Sequence, residues 1–243
     1  MSQLNTKGSR VKYRVRRDTL IVDLGKTYRI VSSAPRGGGF VRARSILNHQ
    51  VSANPVTLGR VVRKWSDPAR YLGQLAMRLK AALPVVGLMT AVPMRQLVVD
   101  REQSGLVLIE CFCTVGVTNA VRAGEEAVHK GTRRTCDQPG TINIILVTNA
   151  TLTGPAMIGA VQVATESKTA TLIKNKVRST SGRSYLATGT GTDAVVMASS
   201  LDGDYRVHYS GTHTEIGSMI GRLVARCVKK GLTRSKRWYK SHP

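Results

Sequence analysis

The sequence predicts an α/β (α+β) protein, in which a mixed, largely antiparallel β-sheet core packs against at least three helices. Hydrophobic residues make up 42% of the 243 residues but aromatic residues only 5%, a composition typical of an aliphatic globular core. Several segments alternate β-branched and polar residues, which is the period of strands, while others repeat apolar residues at the helical period. A chain of this length buries roughly 70% or more of its unfolded surface, enough for a core without disulfides.

The first part of the chain predicts strands, a glycine turn and a helix. Residues 10–34 alternate as strands do, with a tight turn expected at Leu24-Gly25-Lys26. Three glycines in "PRGGGF" (35–40) break this pattern, because glycine adopts backbone angles that are closed to other residues. Residues 67–83 predict the first helix, with Asp67 as N-cap and Pro68 at its first position.

The remaining strands and helices are predicted from the same spacings of apolar residues. We expect a strand in 84–92, a hairpin in 95–117, a strand in 140–147 and a second helix in 154–174. The last helix has one apolar face, formed by Ile216, Met219, Ile220, Leu223, Val224, Cys227 and Val228. Its start, "THTE", has the spacing of a capping box between Thr212 and Glu215, which places His213 in the first turn, and Gly231 is expected to close the helix.

The formal net charge of +23 is concentrated at the chain ends. Residues 1–17 hold six Lys or Arg and no acid, and residues 216–243 hold eight and no acid. We therefore predict a basic N-terminal arm (1–17), a single domain (18–231) and a basic C-terminal tail (232–243). These ends fit a weak association with a polyanion, but the sequence favours a merely solvated basic bias because no recognised nucleic-acid module accompanies them.

The cysteines and the N-terminus bear on the compartment. Cys111, Cys113, Cys136 and Cys227 show neither a C-x-x-C pair nor regular spacing, so we expect a reducing cytoplasm and buried thiols rather than disulfides or zinc. The N-terminus lacks the apolar core of a signal peptide, and no stretch offers the about 20 continuous apolar residues of a bilayer span. The sequence predicts a soluble, cytoplasmic protein.

A glycine-threonine loop in "ATGTGTDAVVMAS" (187–199) fits the G-x-G-x-x-A pattern of dinucleotide-binding loops. That mechanism requires a following helix, whose N-terminus receives the pyrophosphate. Here a short β-branched run follows, and no P-loop lysine is present. The sequence favours a loop between two strands that presents threonine hydroxyls and Asp193, for which a simple turn role stays the alternative.

Six segments together resemble the adenosylcobinamide amidohydrolases of corrinoid salvage. They are "SSAPRGGGFVRARSILNHQV" (32–51), "TVGVTNAVRAGE" (114–125), "GTINIIL" (140–146), "VQVATESKTATL" (161–172), "ATGTGTDAVVMAS" (187–199) and "YSGTHTEIGSMIG" (209–221). The resemblance covers nearly all of the chain except its basic ends, and His49 is not part of it. It implies cytoplasmic hydrolysis of the amide between a corrin-ring propionate and 1-amino-2-propanol, a salvage step of cobalamin biosynthesis that converts adenosylcobinamide to adenosylcobyric acid.

Amide hydrolysis needs an activated nucleophile, a stabilised oxyanion and a proton for the departing amine. His213 is the first catalytic candidate, because a helix start disfavours imidazolium and offers free backbone N–H groups. Glu166 is the second, since no Lys or Arg stands three or four residues away to pair with it. Asp193 is the third, as a group that orients His213 or binds water or a metal. A solvent-exposed histidine and a solvated glutamate stay open as simpler alternatives.

A corrinoid is a broad, largely apolar disc rimmed by amides, so its pocket should be wide and carry a few amide-matching groups. The predicted substrate-binding residues are Gly37, Gly38, Gly39, Arg42, Asn48, Asn119, Asn143, Thr190, Gly191 and Thr192. We predict no cofactor and no metal, because the histidines are scattered and no H-E-x-x-H motif exists. A threonine nucleophile at Thr188, Thr190 or Thr192 stays open, since nothing in the sequence marks one of the three.

The resemblance and the candidate residues predict an adenosylcobinamide amidohydrolase, with the catalytic candidates and the turns converging on one roomy hollow. Adenosylcobinamide is itself cationic, so the charge of +23 does not explain substrate capture. The alternatives are another amidase, a non-catalytic corrinoid-binding protein and a basic nucleic-acid-binding protein. Whether the chain forms a homo-oligomer stays open.

Overall fold

The structure is a computed structural model that describes residues 11–51, 56–57, 60–61, 67–126, 140–180 and 185–241. The strands are β1 (Lys12–Arg16), β2 (Thr19–Ser32), β3 (Gly39–Gln50), β4 (Val56–Thr57), β5 (Arg60–Val61), β6 (Val85–Thr90), β7 (Val98–Ser104), β8 (Val107–Val115), β9 (Ala120–Val121), β10 (Ile142–Thr148), β11 (Thr151–Leu152), β12 (Gly189–Thr190), β13 (Ala194–Ser199) and β14 (Arg206–Val207). The helices are α1 (Pro68–Arg78), α2 (Gly154–Lys174) and α3 (Glu215–Ser241). Cys136 and residues 1–10 of the predicted basic arm lie outside the described residues.

Eight strands form one mixed sheet. Its order is β6-β3-β2-β13-β10-β8-β7, and β1 pairs with β2 beside this path. Within this sheet the pairs β10–β13 and β3–β6 are parallel and the other described pairs are antiparallel. The predicted mixed, largely antiparallel sheet with three helices is therefore confirmed. The parallel pair β10–β13 requires a crossover, which α2 supplies.

Successive side chains of the central strands point to opposite faces of the sheet, which divides the core into layers. Ile144 and Met197 point to the face that α2 and α3 cover, while Ile145 and Val196 point to the opposite face and pack against residues of β2, β3 and β6. A third cluster joins α1 to β2, β3 and β6. The predicted apolar face of α3 is buried along its length, as expected for a helix that packs on a sheet.

The β3–β6 end of the sheet curls back over the central strands. The Asn48 Nδ2 atom donates to Thr114 Oγ1 at 3.1 Å, and Asn143 Nδ2 donates to Asn48 Oδ1 at 2.9 Å and to the Met89 carbonyl at 2.8 Å. These bonds tie β3 and β6 to β8 and β10, although these strands are not neighbours in the sheet. A bulge between Asp23 and Tyr28 provides the bend in β2.

Three predicted positions differ from the structure. The chain reverses at Arg17 and Asp18, whose φ angles are 48° and 55°, whereas β2 continues through the predicted turn around Gly25. The start of α3 is capped by Thr214, whose Oγ1 accepts the Gly217 N–H at 3.1 Å, so His213 precedes the helix and no Thr212–Glu215 capping box begins it. The predicted arm boundary after residue 17 also lies beyond β1, which is part of the sheet.

The third helix also continues through Gly231, which was expected to end it. A Cβ atom at this position would lie 2.4 Å from Val115 Cγ2. The glycine is therefore explained by close packing of α3 on β8 and not by a helix end.

We expect Gly231→Ala to lower the free energy of unfolding by about 1–3 kcal/mol because it overpacks this contact. Alanine's better helix propensity, about 1 kcal/mol, offsets part of the loss. Urea denaturation measures the effect. Gly221→Ala, in the same helix, is the control, since its Cβ would meet Val163 at an ordinary 3.7 Å. Equal effects at both positions would contradict the packing explanation.

Part of the positive charge of α3 is paired with acids on β7. Arg226 Nη1 donates to Glu102 Oε2 at 2.7 Å, and Lys230 Nζ donates to Asp100 Oδ2 at 2.7 Å. Burial raises the pKa of Asp100, but the hydrogen bond and charge of Lys230 together with Arg226 outweigh it, so its pKa is lowered. These cations are engaged within the protein, which reduces the charge that α3 offers to a polyanion.

The described thiols are buried. A hydrogen bond with Cys227, together with burial, raises the pKa of Cys111 well above its usual value, so this thiol stays protonated. Within the described ranges, no set of three His, Cys, Asp or Glu side chains is placed to hold a metal ion. None of the helices in these ranges is both long and apolar enough to cross a membrane.

Candidate functional site

The carboxylate of Asp193 is the centre of a polar arrangement at one edge of the sheet. Lys168 Nζ donates to its Oδ2 atom at 2.5 Å, and the side chains of this ion pair are only 8% and 13% exposed. The backbone N–H of Thr190 donates to Oδ2 at 3.1 Å and that of Ile142 donates to Oδ1 at 3.0 Å. The Thr190 hydroxyl donates to Oδ1. We call Asp193, Lys168 and Thr190 the Asp193 site.

The fold explains why these residues meet. Because β10 and β13 are parallel and Asn143 lies opposite Ala194, the starts of both strands lie at the same edge, where Ile142 reaches Asp193. Helix α2 runs back from the other edge, so Lys168 near its C-terminal end returns to this one. Gly189 leaves room for the ion pair, since a Cβ there would lie 2.6 Å from Asp193 Oδ2 and 2.8 Å from Lys168 Nζ.

Asn119, one of the predicted binding residues, lies beside this site. A Cβ at Gly140 would be 2.8 Å from Asn119 Oδ1, and one at Gly191 would be 3.9 Å from Asn119 Nδ2. The Oδ1 atom is buried and accepts no hydrogen bond from the described part of the chain. An unsatisfied buried carbonyl is costly, so this atom is a suitable acceptor for an N–H group of a ligand.

The predicted residues Thr190, Gly191 and Thr192 belong to the turn that carries Asp193. Thr192 fixes this turn to the start of β10, because the Thr141 hydroxyl donates to the Thr192 carbonyl at 2.8 Å and the two hydroxyls lie 2.9 Å apart. A strand, β13, follows the turn, so no helix N-terminus faces this loop as a dinucleotide-binding loop requires.

The glycine loop at 37–39 starts from the same edge of the sheet. The Ser33 backbone N–H donates to the Val195 carbonyl at 3.1 Å, next to the start of β13. Gly37 has a φ of +70° and packs against β6, where a Cβ would lie 3.0 Å from Val86 Cγ2, and Gly39 has a φ of +80°. Gly38 lies between them, and a Cβ there would meet the Ala34 carbonyl at 2.8 Å. The loop is thus held close to the sheet.

Asn48 and Asn143, by contrast, lie inside the curled sheet. Each is 1% exposed, and the two side chains hydrogen-bond to each other. The prediction that they contact the substrate is therefore not supported, because a ligand would have to separate the two layers to reach them. Their amide chemistry joins strands instead.

His213 and Asp193 lie at opposite edges of the sheet. Ser210, three residues before His213, donates to the Ala156 carbonyl in the first turn of α2, whereas Lys168 at the Asp193 site lies twelve residues further along. At 1.5 Å per residue the helix separates these positions by about 18 Å. His213 is exposed. The structure does not bring the two residues together, so Asp193 does not orient His213.

Glu166 is also outside the Asp193 site. It is exposed on α2, while Lys168, two residues later, is buried at 6% exposure. Residues two positions apart lie about 200° apart around a helix and therefore face different directions. The expectation that Glu166, Asp193 and the start of α3 share one hollow is wrong.

Arg42 is likewise at the other edge. It lies opposite Arg29, which pairs with Ser199 at the end of β13. Arg29 and Arg42 line a shallow depression of about 350 Å³ together with Phe40 and Gly154. Arg42 therefore lies near the end of β13, whereas the Asp193 site lies at its start.

Sequence reasoning missed Lys168. It stands on the buried face of α2, where Ala164 and Leu172, four residues to either side, are both 0% exposed. A lysine in line with such residues was a signal available in the sequence, because lysine is almost never buried without a partner. Its partner Asp193 is 25 residues away in the chain, and no local pattern connects them.

His49 lies apart from the Asp193 site, between β3 and α1. Its Nδ1 atom is 2.8 Å from Thr19 Oγ1 and its Nε2 atom is 3.0 Å from the Tyr71 hydroxyl. Burial lowers the pKa of His49 below its usual 6.5, and the nearby charge of Asp18, which raises it, only partly compensates.

The lowered pKa of His49 predicts a dependence of stability on pH. The unfolded chain binds this proton more tightly than the folded one, so stability is lost as pH falls below about 6.5, and the loss is complete below the folded-state pKa. His49→Gln should make the thermal midpoint less sensitive to pH between about 7.5 and 5. His213→Gln, at an exposed position, is the control. An unchanged pH dependence in His49→Gln would contradict this origin.

Comparison with known proteins places these observations in a family. The family model described as adenosylcobinamide amidohydrolase matches residues 2–240. A protein of Methanosarcina mazei named adenosylcobinamide amidohydrolase is 29% identical over 232 residues, which cover 91% of this chain and 98% of that protein. An uncharacterized protein of Methanocaldococcus jannaschii, MJ1613, is 31% identical over 228 residues, 88% of this chain and 85% of that one. A crystal structure of the PH0078 protein from Pyrococcus horikoshii OT3 aligns with a TM-score of 0.41 and 12% identity, covering 92% of this chain and 78% of that chain.

Proposed function

Because the chain belongs to the adenosylcobinamide amidohydrolase family, we propose that it hydrolyses the amide that joins 1-amino-2-propanol to a corrin-ring propionate of adenosylcobinamide. The products are adenosylcobyric acid and aminopropanol, and the reaction serves corrinoid salvage in the cytoplasm. The observation that carries the proposal is the family match over residues 2–240. The identity of 29% to the named relative agrees with it.

The Asp193 site supports the chemistry that this reaction needs. A carboxylate, a hydroxyl and an ammonium group lie in hydrogen-bonding contact at positions with little access to water, where electrostatic interactions are stronger than in solution. Asp193 accepts a proton from the attacking group, and general base catalysis of this kind contributes about 10²- to 10⁴-fold. The buried Asn119 Oδ1 atom beside the site accepts an N–H bond from the substrate amide.

The flat, amide-rimmed substrate fits the surroundings of the site. Among the residues that the structure describes, a Cβ at Gly191 would meet only Asn119 Nδ2, at 3.9 Å. A backbone without side chains there permits close approach by a bulky ring. The glycine loop 37–39 starts from the same edge, through the hydrogen bond between Ser33 and Val195.

Incubation of the purified chain with adenosylcobinamide tests the proposal. We expect stoichiometric release of 1-amino-2-propanol and adenosylcobyric acid, measured by mass spectrometry. Cobinamide that lacks the adenosyl group shows whether this ligand is required.

Two other functions predict different results. A corrinoid-binding protein without activity would retain adenosylcobinamide and release no aminopropanol. A nucleic-acid-binding protein would show affinity for nucleic acid that falls steeply with salt. Folded protein that leaves adenosylcobinamide intact would defeat the proposed function.

A further inference from the structure

We propose that the Thr190 hydroxyl is the nucleophile of the reaction and forms an ester with the corrin propionyl group. This inference rests on the proposed function, because it assigns a covalent step to that amide hydrolysis. The Asp193 site brings a hydroxyl into contact with a buried carboxylate, which can serve as the adjacent general base that a side-chain nucleophile requires.

The structure distinguishes Thr190 from its two neighbouring threonines. The Thr188 hydroxyl accepts the backbone N–H of Ala123 at 2.8 Å. The Thr192 hydroxyl lies 2.9 Å from the Thr141 hydroxyl and 3.3 Å from the Gly140 carbonyl. Thr190 differs from both because its hydroxyl donates to a carboxylate. Carboxylates accept protons and carbonyl groups do not, so Thr190 is the one of these three that can be activated.

Two backbone contacts also hold Thr190 in position. Its backbone N–H donates to Asp193 Oδ2 at 3.1 Å, and it pairs with Ala120 of β9. Lys168 holds the same Oδ2 atom, which leaves Oδ1 directed at the hydroxyl. A nucleophile and a base that are positioned in this way need no reorganisation before attack. The flanking Gly189 and Gly191 have no side chains to cover the hydroxyl.

The proposed step balances within the site. The Thr190 oxygen attacks the amide carbonyl carbon while its proton passes to Asp193 Oδ1. The carbon–nitrogen bond then breaks, and Asp193 returns that proton to the departing amine, so aminopropanol leaves and the propionyl group stays on Thr190 as an ester. Water then attacks the ester carbon, Asp193 takes a proton from the water, and Thr190 recovers it as adenosylcobyric acid is released. The net reaction consumes one water and needs no other reactant.

Substitutions of threonine test the assignment. Thr190→Val keeps the volume of the side chain but removes the hydroxyl, and we expect it to lower kcat by about 10³-fold or more. Thr190→Ser retains a hydroxyl and should keep measurable turnover. Thr188→Val is the matched control and should stay within a few-fold of the unchanged protein, since its hydroxyl accepts the backbone N–H of Ala123 and contacts no carboxylate in the described part of the chain. Circular dichroism verifies that each variant is folded. Turnover by Thr190→Val within tenfold of the unchanged protein would overturn the proposal.

Two trapping experiments test the identity of the nucleophile and the identity of the substrate separately. With adenosylcobinamide, added hydroxylamine should divert the ester to the corrin hydroxamate, and folded Thr190→Val should form none of it, whereas a site that activates water directly would still form it in Thr190→Val. With p-nitrophenyl propionate, mass spectrometry should locate a propionyl group on the peptide that contains Thr190, and Thr190→Val should lack it. Acylation of Thr190 without turnover of adenosylcobinamide would retain the nucleophile but reject the proposed function. Turnover without hydroxamate and without this adduct would reject the nucleophile alone.

Discussion

Replacing Asp193 by asparagine is expected to lower kcat for adenosylcobinamide hydrolysis by about 10²- to 10⁴-fold. Asparagine has nearly the same shape, but its amide cannot take the proton of the Thr190 hydroxyl, which now donates to the carboxylate. The loss should appear in kcat more than in KM, because the carboxylate acts on the reacting groups and not on the corrin ring. Steady-state release of aminopropanol measures both constants.

The same substitution affects folding, so its interpretation requires a control. Asp193→Asn leaves the ammonium group of Lys168 buried without its charged partner. Rates are therefore divided by the folded fraction from circular dichroism. Asp202→Asn removes the carboxylate of another lysine–aspartate pair, with Lys26, whose side chains are 68% and 49% exposed. It should leave turnover unchanged. Near-normal kcat in folded Asp193→Asn would reject the base.

Local chemistry determined the parts of the fold that the sequence predicted. Asp67 does cap α1, since its carboxylate accepts the Arg70 N–H at 2.8 Å, and the fully buried strands β8 and β10 were recognisable as apolar runs. Long-range packing determined the parts it missed. Gly231 has the residue type of a helix end, but its contact with Val115 of β8 explains it, and that contact depends on how α3 lies on the sheet.

The candidate site shows the same division. The turn at 189–193 was recognised from its glycines and threonines, and its rejection as a dinucleotide loop followed from the β-branched run after it. His213 was the wrong partner for Asp193, because the position of a residue in the chain does not show where its side chain lies in the folded protein. His213 and Glu166 have suitable chemistry, yet the crossover through α2 places Lys168 beside the carboxylate and leaves those two elsewhere.

The ion pair between Lys168 and Asp193 should also be important for stability. We expect Lys168→Met to lower the free energy of unfolding by about 3 kcal/mol, near the lower limit for breaking a buried pair. The remaining charge on Asp193 keeps its bonds from Ile142 and Thr190, which is why the upper limit is not expected. Urea denaturation with an unchanged m-value measures the loss. Lys174→Met, an exposed lysine of the same helix, should change stability by no more than about 0.5 kcal/mol.

The double variant Lys168→Met, Asp193→Asn distinguishes stability from catalysis. Each single substitution leaves one buried charge without its partner, whereas the double variant removes both charges. The double variant should therefore lose about 0.5–3 kcal/mol less stability than the two single variants lose together. Its turnover should stay as low as that of Asp193→Asn, because recovered folding does not restore a proton acceptor for Thr190. Additive losses of stability would show that the two residues are not paired in solution, and recovered turnover would show that the site only holds the fold together.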